Sequence, residues 1–208
     1  MLINRNPLTI ESRVLGIDPG LSNLGVSIID RLSRVDTNGY LYKLVFMDVI
    51  KTEKKSKKDL IDTRLTNDNL RRYVEIYNAL ENMVIKGFNN NIAIESISSI
   101  AIEAYMPRMQ ASNAWKTSIV FGGCIFWACF HNIMPFAFLP LDLKKRFCGK
   151  KSASKLEVQE EIGKLVAGFD GAIGLKNKGD CEHLTDSSAH AILLLEELHK
   201  HRGIFSFG

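Results

Sequence analysis

VLGIDPGLSNLGVSII, residues 14–29, is the stretch on which the architecture turns. Two apolar runs, Val14 to Asp18 and Leu24 to Ile29, flank an Asp-Pro-Gly turn. Short apolar runs on either side of a turn signal predict two strands of a hairpin, here joined by a loop from Pro19 to Asn23. The first strand ends in Asp18. A carboxylate at the C-terminal end of a buried strand points off the sheet edge into a cleft. Pro19 and Gly20 then turn the chain away and leave room for a ligand. A plain turn aspartate is the competing reading of a lone D-P-G.

Further along, Tyr42 to Ile50 (YKLVFMDVI) predicts a third strand. It runs into a basic stretch, Lys51 to Lys58, that reads as a loop. Thr66 to Ile85 repeats apolar residues every three to four positions and predicts a helix. Two apolar patches follow, Ile92 to Ile94 and Ile100 to Ile102. Either serves as the fourth strand, and each ends in a glutamate, Glu95 or Glu103. Arg108 to Phe130 reads as a long helix whose C-terminal half is apolar nearly all round. Such a helix must be covered, by its own sheet or by a second subunit. Phe136 to Leu141 predicts a fifth strand, and Ser152 to Leu165 and Thr185 to Lys200 predict two amphipathic helices. This order implies an α/β domain: a five-stranded mixed sheet, its first three strands antiparallel, flanked by helices. The chain reads as one domain over residues 1–208, with residues 1–12 as a flexible N-terminal arm.

The 208 residues suffice for a sizeable core, and an apolar content of 46% excludes a disordered chain. The net charge of +4 is too small to establish a nucleic-acid partner alone. Met1 to Arg13 holds no secretory signal. Ile119 to Pro140 is rich in Phe and Ile but broken by Gly122-Gly123, His131-Asn132 and Pro135. It falls short of the roughly 20 apolar residues of a spanning helix. An intracellular, cytoplasmic protein without a membrane segment is expected. The four cysteines form no C-x-x-C pair and read as reduced thiols rather than zinc ligands or disulfides.

The chemistry concentrates in three places besides Asp18. Glu103 and Glu95 both follow strand-like runs, where an unpaired buried charge costs several kcal/mol. A metal ion would remove that cost. The segment GDCEHLTDSSAHAI, residues 179–192, crowds Asp180, Glu182, His183, Asp186 and His190 at the entrance of the last helix. His183 and Asp186, three apart, share a helical face. Asp186 as a helix cap and His190 as a core or surface histidine are the bland readings. Carboxylates from separate strands and a helix, with no cysteine partners, suit Mg²⁺ or Mn²⁺ rather than Zn²⁺. Such ions activate water at a phosphodiester. Finally, LDLKKRFCGKKSASK groups Lys144, Lys145, Arg146, Lys150, Lys151 and Lys155, opposed by Asp142 alone. Such a one-signed run favours a phosphate-binding surface for DNA over a solvated charged face.

At these residues the sequence resembles the RuvC-type Holliday-junction resolvases, of the ribonuclease H-like superfamily. Gly16-Ile17-Asp18-Pro19-Gly20 followed by Gly25-Val26 is similar to that family's first strand, turn and second strand. Ala101-Ile102-Glu103 resembles its fourth strand, and the distance from Glu103 to Gly122 favours Glu103 over Glu95. Lys144 and Lys155 match the family's two lysines, with Gly149 to Lys155 reading G-x-x-S-A-x-K. His183-Leu184-Thr185-Asp186-Ser187-Ser188-Ala189 is similar to its last helix start. The chain departs at His183, where the family often has aspartate. It departs again at Met106, beside Tyr105, where the family often has an aromatic wedge. Asn89 to Ser99 looks like an insertion.

The resemblance implies a ribonuclease H-like fold and a homodimer that resolves four-way DNA junctions by paired, metal-dependent nicks. The implied metal ligands are Asp18, Glu103, His183 and Asp186, with Mg²⁺ as the ion and Mn²⁺ as its alternative. Those four and Lys155 form the implied catalytic set. Lys144, Lys145, Arg146, Lys150, Lys151 and Lys155 would bind DNA, and Tyr105 or Met106 would insert at the junction centre. Three other readings remain open. The chain could be a ribonuclease H-like nuclease acting on RNA, RNA–DNA hybrids or branched DNA in general. It could be a non-catalytic junction-binding protein. An actin-like ATPase is the third, but no second D-x-G phosphate loop and too short a chain speak against it.

Overall fold

A computed structural model of the chain describes residues 8–56, 67–89, 92–104 and 114–201. The hairpin forms as two long strands, β1 (Ile10–Asp18) and β2 (Asn23–Leu32), antiparallel with Asp18 opposite Gly25. β1 starts at Ile10, inside the stretch read as an arm. β3 (Tyr42–Lys51) continues the antiparallel meander. Helix α1 (Asp68–Ile85) follows, capped by the Asn67 side chain, which accepts from the Asn69 and Leu70 amides. β4 (Ser99–Glu103) then enters parallel to β1, with Ile17 beside Ile102. The strand is therefore the second apolar patch. The first collapses into a short 3₁₀ turn, Ile94–Ser96, that leaves Glu95 exposed.

Helix α2 (Ala114–Phe130) leads to β5 (Met134–Phe138), parallel to β4. That strand ends earlier than expected because Pro140, at the first position of a helix, opens α3 (Pro140–Cys148). The Leu139 amide donates to Asp142 Oδ2 there, and Gly149 closes the helix in the left-handed region at φ 70°. α4 (Lys155–Leu165) begins after Ser154, whose hydroxyl accepts from the Glu157 amide while Glu157 accepts from the Ser154 amide. A two-residue strand, β6 (Val166–Ala167), pairs with the outer edge of β3. The sheet thus has six strands, in the order β5-β4-β1-β2-β3-β6, rather than five. β6 is too short to carry a period-two pattern in sequence. Helix α5 (Phe169–Ile173) precedes α6 (Lys178–Lys200).

Alternation along the strands divides the core in two. Leu15, Ile17, Val26, Ile28, Ile100 and Ile102 face α1 and α2, meeting Ile76, Leu80, Val120, Cys124 and Trp127. Val14, Ile29 and Ala101 face α3 to α6, meeting Phe147, Ile162, Phe169, Leu184 and Ile192. Helices cover both faces of a mixed sheet, a three-layer α/β sandwich. In α1 the buried face runs through Arg72, Ile76 and Leu80, while Leu70 and Val74 are exposed, so the apolar stripe read there is turned partly outward. Among the described residues no helix is long and apolar enough to cross a membrane.

Candidate active site

Asp18 and Glu103 are the last residues of neighbouring parallel strands, one step beyond the Ile17–Ile102 pair. Adjacent strands lie about 4.8 Å apart, so the two carboxylates stand side by side. Ile17 and Ile102 point to the α1–α2 face, so the next residues point to the other, where α6 lies.

Two glycines bring α6 down onto that face. A Cβ on Gly16 would lie 1.9 Å from the Ser187 carbonyl oxygen, and one on Gly25 would lie 2.4 Å from that of His183. The helix backbone therefore rests directly on β1 and β2, which no residue with a side chain would permit. The facing stretch of α6 is itself small: Ser187, Ser188 and Ala189, all buried.

α6 begins at Lys178, seven residues before the predicted start. Asn177 caps it by accepting from the Asp180 amide at 3.0 Å, so Gly179 is helical rather than a loop residue. Asp186 is accordingly no cap but lies in the third turn. Asp180 is occupied elsewhere, with Lys51 Nζ and Asn177 Nδ2 both 2.7 Å from its Oδ2.

His183, Asp186 and His190, spaced three and four apart, share the face turned to the strand ends. His183 Nδ1 lies 2.6 Å from Asp18 Oδ2. His190 Nε2 lies 3.2 Å from Glu103 Oε2, and His190 is fully buried. Lys155, at the first position of α4, reaches Glu182 Oε2 at 3.2 Å and Asp186 Oδ2 at 3.3 Å. Each carboxylate of the cluster thus has a basic side chain within reach, but the two histidines carry charge only when protonated and Lys155 is shared between Glu182 and Asp186. Among the described residues no three His, Cys, Asp or Glu groups already stand as a cage for an ion.

The electrostatics are uneven. Burial, then repulsion from Asp18 and Glu103, pushes the Asp186 carboxyl up to about 6, with Lys155 and His190 pulling the other way. The Asp18 carboxylate that bonds its Nδ1 raises the His183 imidazole, against the effect of burial. Three acids gathered without enough positive charge are a set of oxygen donors that a hard divalent cation fits.

The basic run divides in three dimensions. Arg146 forms a two-pronged pair with Glu196, at 2.5 and 2.6 Å, and Lys150 pairs with Glu157. Lys144, Lys145 and Lys151 have no ion-pair partner among the described residues. The one-signed appearance in sequence therefore overstates the free charge, because its acidic partners come from α4 and α6. Tyr105 and Met106 lie outside the described residues. His190 is the contact that sequence reasoning left unused; its signal was the spacing from His183 of seven residues, two helical turns.

A family model described as crossover junction endodeoxyribonuclease RuvC matches residues 14–192. The curated crossover junction endodeoxyribonuclease RuvC of Natranaerobius thermophilus is 24% identical over 154 residues, covering 74% of this chain and 80% of its own. The solved structure of Thermus thermophilus RuvC superposes with a TM-score of 0.57 at 24% identity, covering 92% of this chain and 96% of its own. The same protein in complex with a Holliday junction substrate gives 0.58 at 20% identity over the same shares. The structural likeness is one of fold, and the match of the family model takes in most of the hairpin, both strand-end carboxylates and most of α6. The chain belongs to the crossover junction endodeoxyribonuclease RuvC family.

Proposed function

We propose that the chain cuts four-way DNA junctions by metal-dependent hydrolysis of a phosphodiester, with Asp18, Glu103 and Asp186 holding the metal. Family membership supports the activity, and a relative's structure in complex with a Holliday junction substrate supports the DNA partner. The observation that carries the site is the seating of α6 on Gly16 and Gly25, which sets His183 and Asp186 against the ends of β1 and β4.

The donor set is rich in carboxylate oxygen and free of thiolate, which suits Mg²⁺, with Mn²⁺ as the alternative. When bound, a divalent ion supplies an activated water and charge neutralisation at the phosphate. His183 is held by Asp18 through Nδ1, leaving Nε2 as the nitrogen that accepts a proton from the attacking water. Lys155, half-exposed above Asp186, meets the phosphate beside the cut and steadies its growing negative charge. Lys144, Lys145 and Lys151 extend the cationic surface along the strand, and Arg146 and Lys150 join it only by leaving their acidic partners.

The chain acts as a homodimer through the outer face of α2. Trp115, Ile119, Phe126 and Phe130 are 43%, 44%, 66% and 64% exposed. At about 100° per residue they fall within an arc of about 60°, a continuous apolar stripe. Pairing two such stripes about a two-fold axis sets two active sites to nick two strands of one junction.

The test uses a labelled synthetic junction and a matched linear duplex, with and without Mg²⁺, and the variants Asp18→Asn and Glu103→Gln. Expected are symmetric nicks in the junction alone, only with metal, and binding without cutting by both variants. A junction bound but never cut makes the chain a binding module. Cutting by either variant at the parent's rate removes the carboxylate assignment. Equal cutting of RNA–DNA hybrids or other branched DNA replaces junction selectivity with a broader nuclease.

A further inference from the structure

We infer that His190 is a positioning residue that fixes which oxygen of Glu103 faces the active site. This rests on the reading of Glu103 as a metal-holding carboxylate. His190 lies in α6 with no exposed surface, between Ala189 and Ala191, both of which pack into the core on that side of the sheet. Its Nε2 is 3.2 Å from Glu103 Oε2, and its Nδ1 has no hydrogen-bond partner among the described residues.

That asymmetry sets the roles. A proton on Nδ1 would be a buried donor without an acceptor, and would leave Nε2 as a lone pair facing a carboxylate. With the proton on Nε2, the imidazole donates to Glu103 Oε2. The bare Nδ1 lone pair is the smaller cost.

Glu103 needs such a tether. It is the last residue of β4, and its side chain is one-quarter exposed. A glutamate there is free to rotate about three side-chain bonds, and ordering them is costly. Among the described residues His190 is the one side chain seen to bond it. With Oε2 engaged, Oε1 is the oxygen left for a metal. Hydrogen bonds of this kind to ligating carboxylates are worth about 10–100-fold in metal affinity. The competing view is that His190 only fills space beneath the sheet, in which case an apolar side chain of similar size serves equally.

Mn²⁺ binding, titrated by electron paramagnetic resonance on the full chain without DNA, separates the two views. His190→Leu keeps the bulk and removes the donor. His190→Gln returns an amide nitrogen to the place of Nε2, whereas the shorter His190→Asn reaches only the place of Nδ1. The expected result is binding weakened by about 10–100-fold in His190→Leu, most of it restored in His190→Gln, with unchanged junction binding in EDTA. Should His190→Leu fail to fold, the Gln–Asn pair decides: stronger binding by Gln supports the inference and equal binding overturns it. Parent-like binding by His190→Leu, with binding lost in Glu103→Gln, overturns the role of His190 alone. Parent-like binding by Glu103→Gln removes the metal-site reading of Glu103, and the inference falls with it.

Discussion

Asp186 is the residue at which the fold works against itself. Its carboxyl titrates near 6 rather than 3.8, because it is buried beside two other acids. An acid raised on folding holds its proton more tightly in the folded state. Its favourable contribution is therefore complete below about pH 4 and lost as pH rises through about 6. His183 acts in the same direction: its raised imidazole stabilises the fold below its ordinary value of 6.5, and that gain disappears as pH rises through the higher folded value. The metal-free protein thus carries a penalty of about 3 kcal/mol from Asp186 at pH 8. Asp186→Asn is expected to unfold at a higher temperature than the parent at pH 8 in EDTA, and the gap should close toward pH 4. Lys155 is half-exposed, so losing its pair with Asp186 offsets little of this. A gap that does not change with pH, by thermal melts across that range, would show that burial and repulsion are not what strain Asp186.

At the scale of elements, the contact between α6 and the hairpin decides whether there is a site at all. Gly25 has room only for hydrogen under the His183 carbonyl, at 2.4 Å from a built Cβ. Gly25→Ala must lift the first turns of α6, moving His183 from Asp18. The expected cost is about 1–3 kcal/mol of stability, and junction cleavage should fall far more than junction binding, measured by thermal melts and gel shift. Cleavage that tracks binding would mean the seating of α6 is structural only. A second anchor holds the turn after Asp18. Arg72 of α1, nearly fully buried, donates to the Ser22 hydroxyl at 2.6 Å and to the Thr52 hydroxyl at 2.9 Å. Thr52 in turn donates to the Leu21 carbonyl. Helices on opposite faces of the sheet therefore clamp the strand end that carries Asp18.

At the scale of the molecule, α2 carries an apolar stripe, Trp115, Ile119, Phe126 and Phe130, that is left exposed among the described residues. Val120, Cys124, Trp127 and Ala128 satisfy the inner face of the same helix. The outer face is the one the proposed dimer would use. The double change Phe126→Glu and Phe130→Glu should leave the fold intact, since both side chains are about two-thirds exposed. Sedimentation velocity should then show a monomer, and paired nicking of a junction should give way to single nicks. A monomeric parent, or a dimeric variant, would move the interface elsewhere.

The residues alone determined the hairpin, the strand end at Asp18, the helical face shared by His183 and Asp186, and the family. These are local matters of period, turn chemistry and ordered motifs, written in consecutive residues. Family resemblance, not local pattern, chose Glu103 over Glu95; the structure adds the reason that only Ser99–Glu103 pairs with β1, while Glu95 sits exposed on a 3₁₀ turn. Other features came from contacts that no local pattern announces. β6 exists because the edge of β3 accepts it, not because Val166–Ala167 announces a strand. Arg146 and Lys150 are neutralised by Glu196 and Glu157, which the basic run gave no hint of. The meeting of His190 with Glu103, 87 residues apart, depends on how deeply α6 sinks into the sheet. Two glycines set that depth, and their meaning appears only when the helix is laid across them.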